Sequence, residues 1–328
     1  MKEKVLETIK KYNLIENGDK IVIGVSGGPD SITLLNMLLE IQKENIINFD
    51  MVVCHINHMI REEAADDEEY VSNFCKRYNI EFFARRIEIE KIAKKSKIGT
   101  EEAGRMARYE FFNEILEKTS SNKIATAHTA NDNAETVLMN IIRGTGTAGL
   151  KGIEAKRDNL IRPLIKCTRE EIEEYCEINK LNPRIDKTNF QNIYTRNKVR
   201  NMLIPYIKEN FNPNIIEGIN RLSDLSKQEN EYLEKQTEKA YKNILIESKK
   251  DEIILDLKLF NSQEIVIKQR LVLYTINILF GTRSGIEKKH IEDIIKLCSN
   301  NIGNKFLIPN KKVKILVKNK KIFFIANQ

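Results

Sequence analysis

The sequence predicts an α/β protein: a doubly wound, mostly parallel sheet, then a long helical linker and a small α+β domain. Three observations predict it. Short apolar runs alternate with amphipathic stretches through the first half of the chain, the pattern of strands joined by crossover helices. A glycine-rich turn, Ser26-Gly27-Gly28-Pro29-Asp30-Ser31, sits between the first such run and the first such helix. Near residues 205–213 the pattern changes to charged, helical periodicity.

The first strand is the unbroken apolar run Ile21-Val22-Ile23-Gly24-Val25, and its helix covers residues 32–41. Adjacent glycines let the backbone turn sharply and approach a ligand with no Cβ in the way. The following helix start supplies unpaired N–H groups and a positive dipole end, so Ser26, Gly27, Gly28, Pro29, Asp30 and Ser31 read as an anion site. The spacing of the common lysine-bearing phosphate loop is absent. The alternative is a simple helix start, with Pro29 in the first turn and Asp30 facing the dipole. A carboxylate beside phosphates is repulsive unless a divalent cation bridges them, so Asp30 implies Mg²⁺ shared with a nucleotide.

The second strand covers residues 51–54 and ends in His55-Ile56-Asn57-His58; an acidic helix follows over 62–78. A third strand spans 81–87, a helix 100–116, a fourth strand 123–127 and its helix 131–142. In such sheets ligands sit beyond the carboxyl ends of the strands, where Ser26, His55 and His128 are expected to gather. Helical periodicity over residues 214–247 predicts one long helix, or two with a break. The remainder reads as a strand at 253–257, helices at 265–280 and 287–298, and a hairpin of strands 313–318 and 322–325.

Composition narrows the class. The 328 residues are 41% apolar, enough for sizeable cores. No run approaches the ~20 apolar residues of a membrane span, and the charged start leads into no signal-peptide core, so a cytosolic protein is expected. Five scattered cysteines, Cys54, Cys75, Cys167, Cys176 and Cys298, fit reduced structural thiols rather than a zinc site or disulfides. The net charge of +7 is uneven: residues 294–328 hold eight lysines and no acid. That end reads either as a polyanion-binding surface or as lysine bias that protects strand edges.

His128, Asp132 and Glu135 are spaced to share one helix face, with His128 in the preceding loop. They read as a carboxylate pair for a cationic substrate, as a metal site, or as a capping box with Asp132 as N-cap. Arg105 and Arg108 would clamp phosphate, or simply pair with Glu101 on the surface. Three glycines follow Arg143 within 143–150, a loop for close approach of a ligand or backbone.

The Ser-Gly-Gly-x-Asp-Ser turn resembles the signature of the ATP pyrophosphatase (PP-loop) superfamily, which splits ATP between its α and β phosphates. With residues 55–58, 102–109, 127–150, Arg162-Pro163-Leu164 and 186–205, the order and spacing resemble the tRNA(Ile)-lysidine synthetase family. Thr188 stands where that family usually has serine, and the hydroxyl is kept. The resemblance covers about residues 18–210 and implies an N-type ATP pyrophosphatase fold. It divides the chain into a catalytic domain at 1–212, a helical linker at 213–247 and a small tRNA-contacting domain at 248–328. The family often carries a third domain, so a short member or a piece of a longer protein is expected.

The resemblance also implies chemistry: adenylation of the wobble cytidine of a CAU-anticodon isoleucine tRNA, then attack by free L-lysine to give lysidine, AMP and pyrophosphate. ATP and Mg²⁺ are the implied cofactors; a homodimer is allowed, and no membrane is involved. ATP would bind at residues 26–31 and Ile56, with Asp30 on the metal. Arg105, Arg108, His128, Asp132 and Glu135 would serve catalysis, the last two binding lysine. Arg143, Arg196, Asn197, Arg200, Lys311, Lys312 and Lys314 would contact tRNA. Two alternatives remain: a tRNA-thiolating pyrophosphatase, disfavoured by the lack of a cysteine pair, and a non-catalytic RNA-binding module, which would not need Asp30, Asp132 and Glu135 together.

Overall fold

The computed structural model describes residues 1–57, 59, 64–184, 194–281, 285–300, 305–310 and 313–326. His58, the 186–189 segment, Lys311 and Lys312 therefore lie outside the described residues. The chain divides into two compact units, Met1–Asp224 and Leu225–Gln328.

The first unit opens with α1 (Lys2–Tyr12), followed by β1 (Lys20–Gly24), α2 (Pro29–Lys43), β2 (Asp50–Asn57), α3 (Ala64–Arg77) and β3 (Glu81–Arg86). It continues through α4 (Ile89–Ser96), α5 (Thr100–Lys118), β4 (Lys123–Ala125), α6 (Ala130–Ile142) and α7 (Thr147–Leu150). Then come β5 (Lys156–Arg157), β6 (Leu160–Ile161), α8 (Arg169–Ile178), α9 (Thr195–Lys198), a π-helical turn (Val199–Leu203), and α10 (Ile204–Asn210). The sheet order is β3-β2-β1-β4-β6-β5, parallel except for edge strand β5. This is the expected doubly wound architecture: the chain runs outward from β1 to β3, then returns to the other side of β1 as β4.

Period-two alternation sorts the strand residues onto two faces. Ile21, Ile23, Val53, Ala125 and Ile161 face a layer that includes α1, α2, α3 and α8. Val22, Val52, Cys54 and Ile124 face α5 through Phe111, Phe112 and Ile115. α2 is buried on nearly every side, as its run of apolar residues requires. At the amino end of the sheet, buried Lys123 donates to Asp19 Oδ2 at 2.6 Å, and Asn122 donates to Asp19 Oδ1 at 2.7 Å. These bonds tie the entry of β1 to the entry of β4, the two strands between which the sheet order reverses.

Local differences from the sequence reading have physical reasons. β2 runs on through His55, Ile56 and Asn57 because β3 pairs with all three, so His55 lies within the strand rather than past it. α4 was not anticipated.

α11 (Ile215–Ile244) is one uninterrupted helix, and the division between the units falls within it. The second unit adds β7 (Leu245–Ser248), β8 (Glu252–Asp256), α12 (Leu257–Asn261), α13 (Ile265–Phe280), α14 (Lys288–Ser299), β9 (Lys305–Asn310), β10 (Val313–Lys318) and β11 (Lys321–Ala326). The five strands form an antiparallel sheet, β7-β8-β11-β10-β9, and one face packs on α13 and α14. The expected hairpin is β10–β11, closed at Lys318↔Lys321. Asn319 and Lys320 both take positive φ, 51° and 59°, the two-residue turn that matches strand twist. Among the described residues no helix is long and apolar enough to cross a membrane.

Candidate active site

A cavity of about 1000 Å³ opens at the carboxyl ends of β1 and β4. One wall is the 26–31 turn. Gly27 sits at φ 92°, a left-handed conformation that a side chain would strain, and Gly28 caps α2 with Pro29 in its first turn. The serines brace the turn. Ser31 Oγ donates to the Gly28 carbonyl at 2.9 Å and accepts from Ser26 N–H at 3.1 Å; the two hydroxyls lie 3.2 Å apart. Gly24 is fixed from the other side, since a Cβ there would fall 2.3 Å from Phe112 Cζ.

Asp30 lines the cavity from the first turn of α2. Burial, aided by the nearby charge of Asp132, pushes its carboxyl up to about 6; Arg169 and Arg200 pull the other way. A carboxylate short of counter-charge fits a divalent cation that arrives with a polyphosphate. Among the described residues no group of three His, Cys, Asp or Glu side chains could hold an ion by itself. A single carboxylate beside a helix-start turn fits Mg²⁺, which commonly takes one or two carboxylates plus phosphate oxygens.

His55 is 3% exposed and its Nδ1–H donates to the Val25 carbonyl at 2.9 Å, with burial holding its pKa below the usual histidine range. It and Ile56 line the cavity beside the turn. From α5, Arg108 and Tyr109 line the cavity, whereas Arg105 is outside that lining and lies over the Tyr109 ring at 5.0 Å.

The third wall is the start of α6. His128 precedes the helix, its Nδ1 3.0 Å from Thr126 Oγ1. Burial, reinforced by Arg162, Arg196 and Arg105 against the pull of Asp132, lowers its pKa to about 4, so the ring is neutral at neutral pH. The capping box uses Thr129 as N-cap and Asp132 as its third residue, one turn earlier than the Asp132–Glu135 alternative. Asp132 Oδ2 accepts from Thr129 N–H at 3.0 Å, and Oδ1 accepts from Arg200 at 3.2 Å. Burial alone would raise the Asp132 carboxyl, but Arg196, His128, the Thr129 amide and Arg200 outweigh it and hold it low.

Glu135 is 1% exposed and lies behind the wall. Arg200 grips it with two nitrogens, Nε to Oε1 at 2.5 Å and a terminal nitrogen to Oε2 at 2.8 Å; Arg196 Nε adds 2.9 Å to Oε2. The cavity is lined by Arg196, Arg200 and Asp132, with Glu135 outside that lining. The structure thus gathers the turn, His55, Ile56, Arg108, His128, Asp132, Arg196 and Arg200 around one space. Arg143 is exposed at the end of α6, Asn197 sits on α9, and Lys314 lies in the second unit over the Phe306 ring at 4.8 Å. The sequence reading missed Asp67, Arg169 and Glu173 on the cavity wall. Arg169 opens α8 behind a Thr168–Glu171 capping box, a pattern visible in the sequence as T-x-x-E.

Residues 1–207 match the family described as PP-loop domain. The chain is 47% identical to the tRNA(Ile)-lysidine synthase of Clostridium tetani over 95% of its own length and 66% of that relative. It is 45% identical to the enzyme of the same name from Clostridioides difficile, over 98% of this chain and 71% of that one. It thus spans about two thirds of the length of these curated relatives. In structure it resembles the U34-tRNA thiolase NcsA from Methanococcus maripaludis with its [4Fe-4S] cluster. The TM-score is 0.55 at 22% identity, over 68% of this chain and 78% of that chain, a likeness of fold.

The Asp30 environment makes a prediction for the ligand-free protein. At low pH the folded and unfolded forms both hold the proton, and Asp30→Asn is neutral. Above about 6 both have lost it, and the folded form alone bears the cost of a buried charge. Asp30→Asn should therefore stabilise the protein by roughly 2–3 kcal/mol at pH 7.5, the gain fading as the pH falls toward 4. Denaturant melts across that range check it; a destabilised variant at pH 7.5 contradicts it.

Proposed function

The chain belongs to the tRNA(Ile)-lysidine synthase family, and we propose that it joins L-lysine to the wobble cytidine of a CAU-anticodon isoleucine tRNA, acting in the cytoplasm as a monomer or homodimer. One observation carries this reading. A single cavity at the strand switch point sets an anion-binding turn opposite a wall that bears both carboxylate and guanidinium groups. Such a space suits a polyphosphate and a cationic second substrate in turn.

In the first step the C2 oxygen of the base attacks the α-phosphorus of ATP, the bond to the bridging oxygen breaks, and pyrophosphate leaves. Amides at the start of α2 receive the phosphates, and Ile56 and its neighbours at the end of β2 flank the nucleoside. Asp30 would hold Mg²⁺, which neutralises phosphate charge when bound. Arg108 offsets charge on the α-phosphate. An unpaired anticodon base reaches such a pocket at low unstacking cost. In the second step the lysine ε-amine attacks C2, the C2–O bond breaks and AMP leaves. Asp132, the α6 carboxylate that lines the cavity, attracts the amine; it or neutral His128 takes the released proton.

Arg143, Arg196, Asn197 and Arg200 in the first unit, and Lys311, Lys312 and Lys314 in the second, are proposed to meet tRNA phosphates. Sulfur transfer is less well supported: Cys54 and Cys176 line the cavity, but burial pushes the Cys54 thiol up to about 12 and raises Cys176 as well. Thiols held protonated are poor nucleophiles.

Mass spectrometry of an isoleucine tRNA transcript after incubation with ATP, Mg²⁺ and lysine tests the reading. A mass gain equal to lysine less one water on the anticodon cytidine is expected. Asp30→Ala should lower pyrophosphate release by roughly 10²-fold or more while remaining folded. An unmodified transcript, or near-normal release from the variant, counts against the reading.

The basic end makes a separate prediction. Changing Lys311, Lys312 and Lys314 together to Gln should weaken tRNA binding and flatten its dependence on salt, because fewer condensed counterions are released. ATP binding should be unaffected. Binding isotherms over a salt series decide it, and an unchanged slope would mean that these lysines touch no phosphate.

A further inference from the structure

The wall that begins α6 is held from behind by a helix that lies beyond the PP-loop match at residues 1–207. Asn220, in the second turn of α11, uses both hydrogens of its amide. Nδ2 donates to the Ala130 carbonyl at 3.0 Å and to the Ile216 carbonyl of its own helix at 2.8 Å. Oδ1 accepts from Asn133 Nδ2 at 2.8 Å. One side chain therefore grips α6 on either side of Asn131 and Asp132.

Asn133 is 2% exposed and just as fully engaged. Its second amide hydrogen points to Ser223 Oγ at 3.3 Å, and its Oδ1 accepts from the Ile153 N–H at 2.6 Å. Ser223, fully buried, donates its own hydrogen to the Lys151 carbonyl at 2.7 Å. Gly152 leaves room for this approach, since a Cβ there would fall 2.1 Å from Asn133 Oδ1. Backbone groups fix which way each amide points: the Ala130 and Ile216 carbonyls require nitrogen, and the Ile153 N–H requires oxygen. Such a network is directional, and removing one member strands the others.

The apolar part of the contact does not set a register. Ala130, Ala134 and Val137 of α6 meet Ile216 and Ile219 of α11, with Val199 and Ile204 completing the cluster. Apolar surfaces attract without direction, so they hold the helices together but not at one rotation. On the α8 side, Ala130 N–H reaches the Cys167 carbonyl at 2.8 Å, and Asn131 Oδ1 accepts from Arg169 N–H at 2.9 Å. Those bonds fix where the helix starts. Asn133 directly follows Asp132, about 100° round the helix, so the bonds it makes to α11 also fix the direction of its neighbour.

We propose that Asn220 is a positioning residue for lysine transfer: through Ala130 and Asn133 it sets the rotation of α6 and so the place of the Asp132 carboxylate. The inference rests on the lysine-transfer reading and extends the working structure of the site to α11. The anion-binding turn belongs to β1 and α2, which Asn220 does not touch, so its loss falls on the second half-reaction.

The full chain with ATP, Mg²⁺, the CAU-anticodon isoleucine tRNA and lysine tests this. Asn220→Ala should raise the apparent KM for lysine in AMP release about fivefold or more, while lysine-independent exchange of pyrophosphate into ATP stays within about twofold. Asn133→Ala should repeat the pattern, and the double variant should exceed the worse single by less than about twofold. Asn220→Ser is milder: its hydroxyl still reaches the Ile216 carbonyl one turn back, but not α6. It should raise the lysine KM in the same way, and it serves if the alanine variant unfolds. A role in stability alone would lower the melting temperature, or depress both half-reactions together, and leave the lysine KM unchanged. Either result, or full additivity of the two alanine substitutions, would overturn the proposal. Amide hydrogen exchange needs no turnover: residues 133–137 should exchange about tenfold faster in Asn220→Ser, and those of α2 at the wild-type rate. If the wild type transfers no lysine, the functional reading falls and this arm judges the brace. Unchanged exchange in α6 would overturn it.

Discussion

The sheet reverses its order at β1, and the site exists because of that reversal. Connections from β1 run one way to β2 and β3, while β4 and β6 lie on the other side. At the carboxyl ends of β1 and β4 the chain leaves in opposite directions, so no connection fills the space between them. The first of those exits is the Gly27–Gly28 turn into α2, and the second leads through His128 into α6. Every proposed substrate contact in the first unit depends on these two exits being held apart at a fixed spacing. The hydrophobic layers on both faces, with the Asp19–Lys123 pair at the far end, supply that rigidity.

Charge is distributed unevenly around the opening, and the unevenness is informative. Asp30 is left with little compensation, and burial pushes its carboxyl up to about 6. Asp132 and Glu135 are the opposite case, each held by guanidinium donors, with a backbone amide added at Asp132. Of these carboxylates, then, one is desolvated with little counter-charge, one reaches the cavity while capping its own helix, and one is paired with two arginines. Neutral His128 between them avoids adding a further cation to a wall that already holds two. Such divided roles follow from burial and partner geometry rather than from residue type, since all three groups are simple carboxylates.

The fold was largely legible because its signals are local. Ile21 to Val25 and the alternation beneath them specify a buried strand, and the glycine pair with Pro29 specifies the turn and helix start. β2 read short because His55 and Asn57 look like loop residues until β3 is known to pair with them. β9 was missed for a related reason: Pro309 interrupts its apolar run, and its partner β10 is needed to define it. In the site, Ser26 to Ser31, His55 and His128 could be placed together from strand ends alone. The pairing of Glu135 with Arg196 and Arg200 could not, because those contacts span 61 and 65 residues. Nothing in the local sequence tells an arginine aimed at a carboxylate from one aimed at phosphate.

If the cavity is where base and nucleotide react before lysine enters, activation must be reversible in lysine's absence. Exchange of labelled pyrophosphate into ATP measures that step directly. The account predicts exchange that requires the CAU-anticodon isoleucine tRNA and Mg²⁺ and proceeds without lysine. Exchange that appears only when lysine is added, or that proceeds without tRNA, would contradict it.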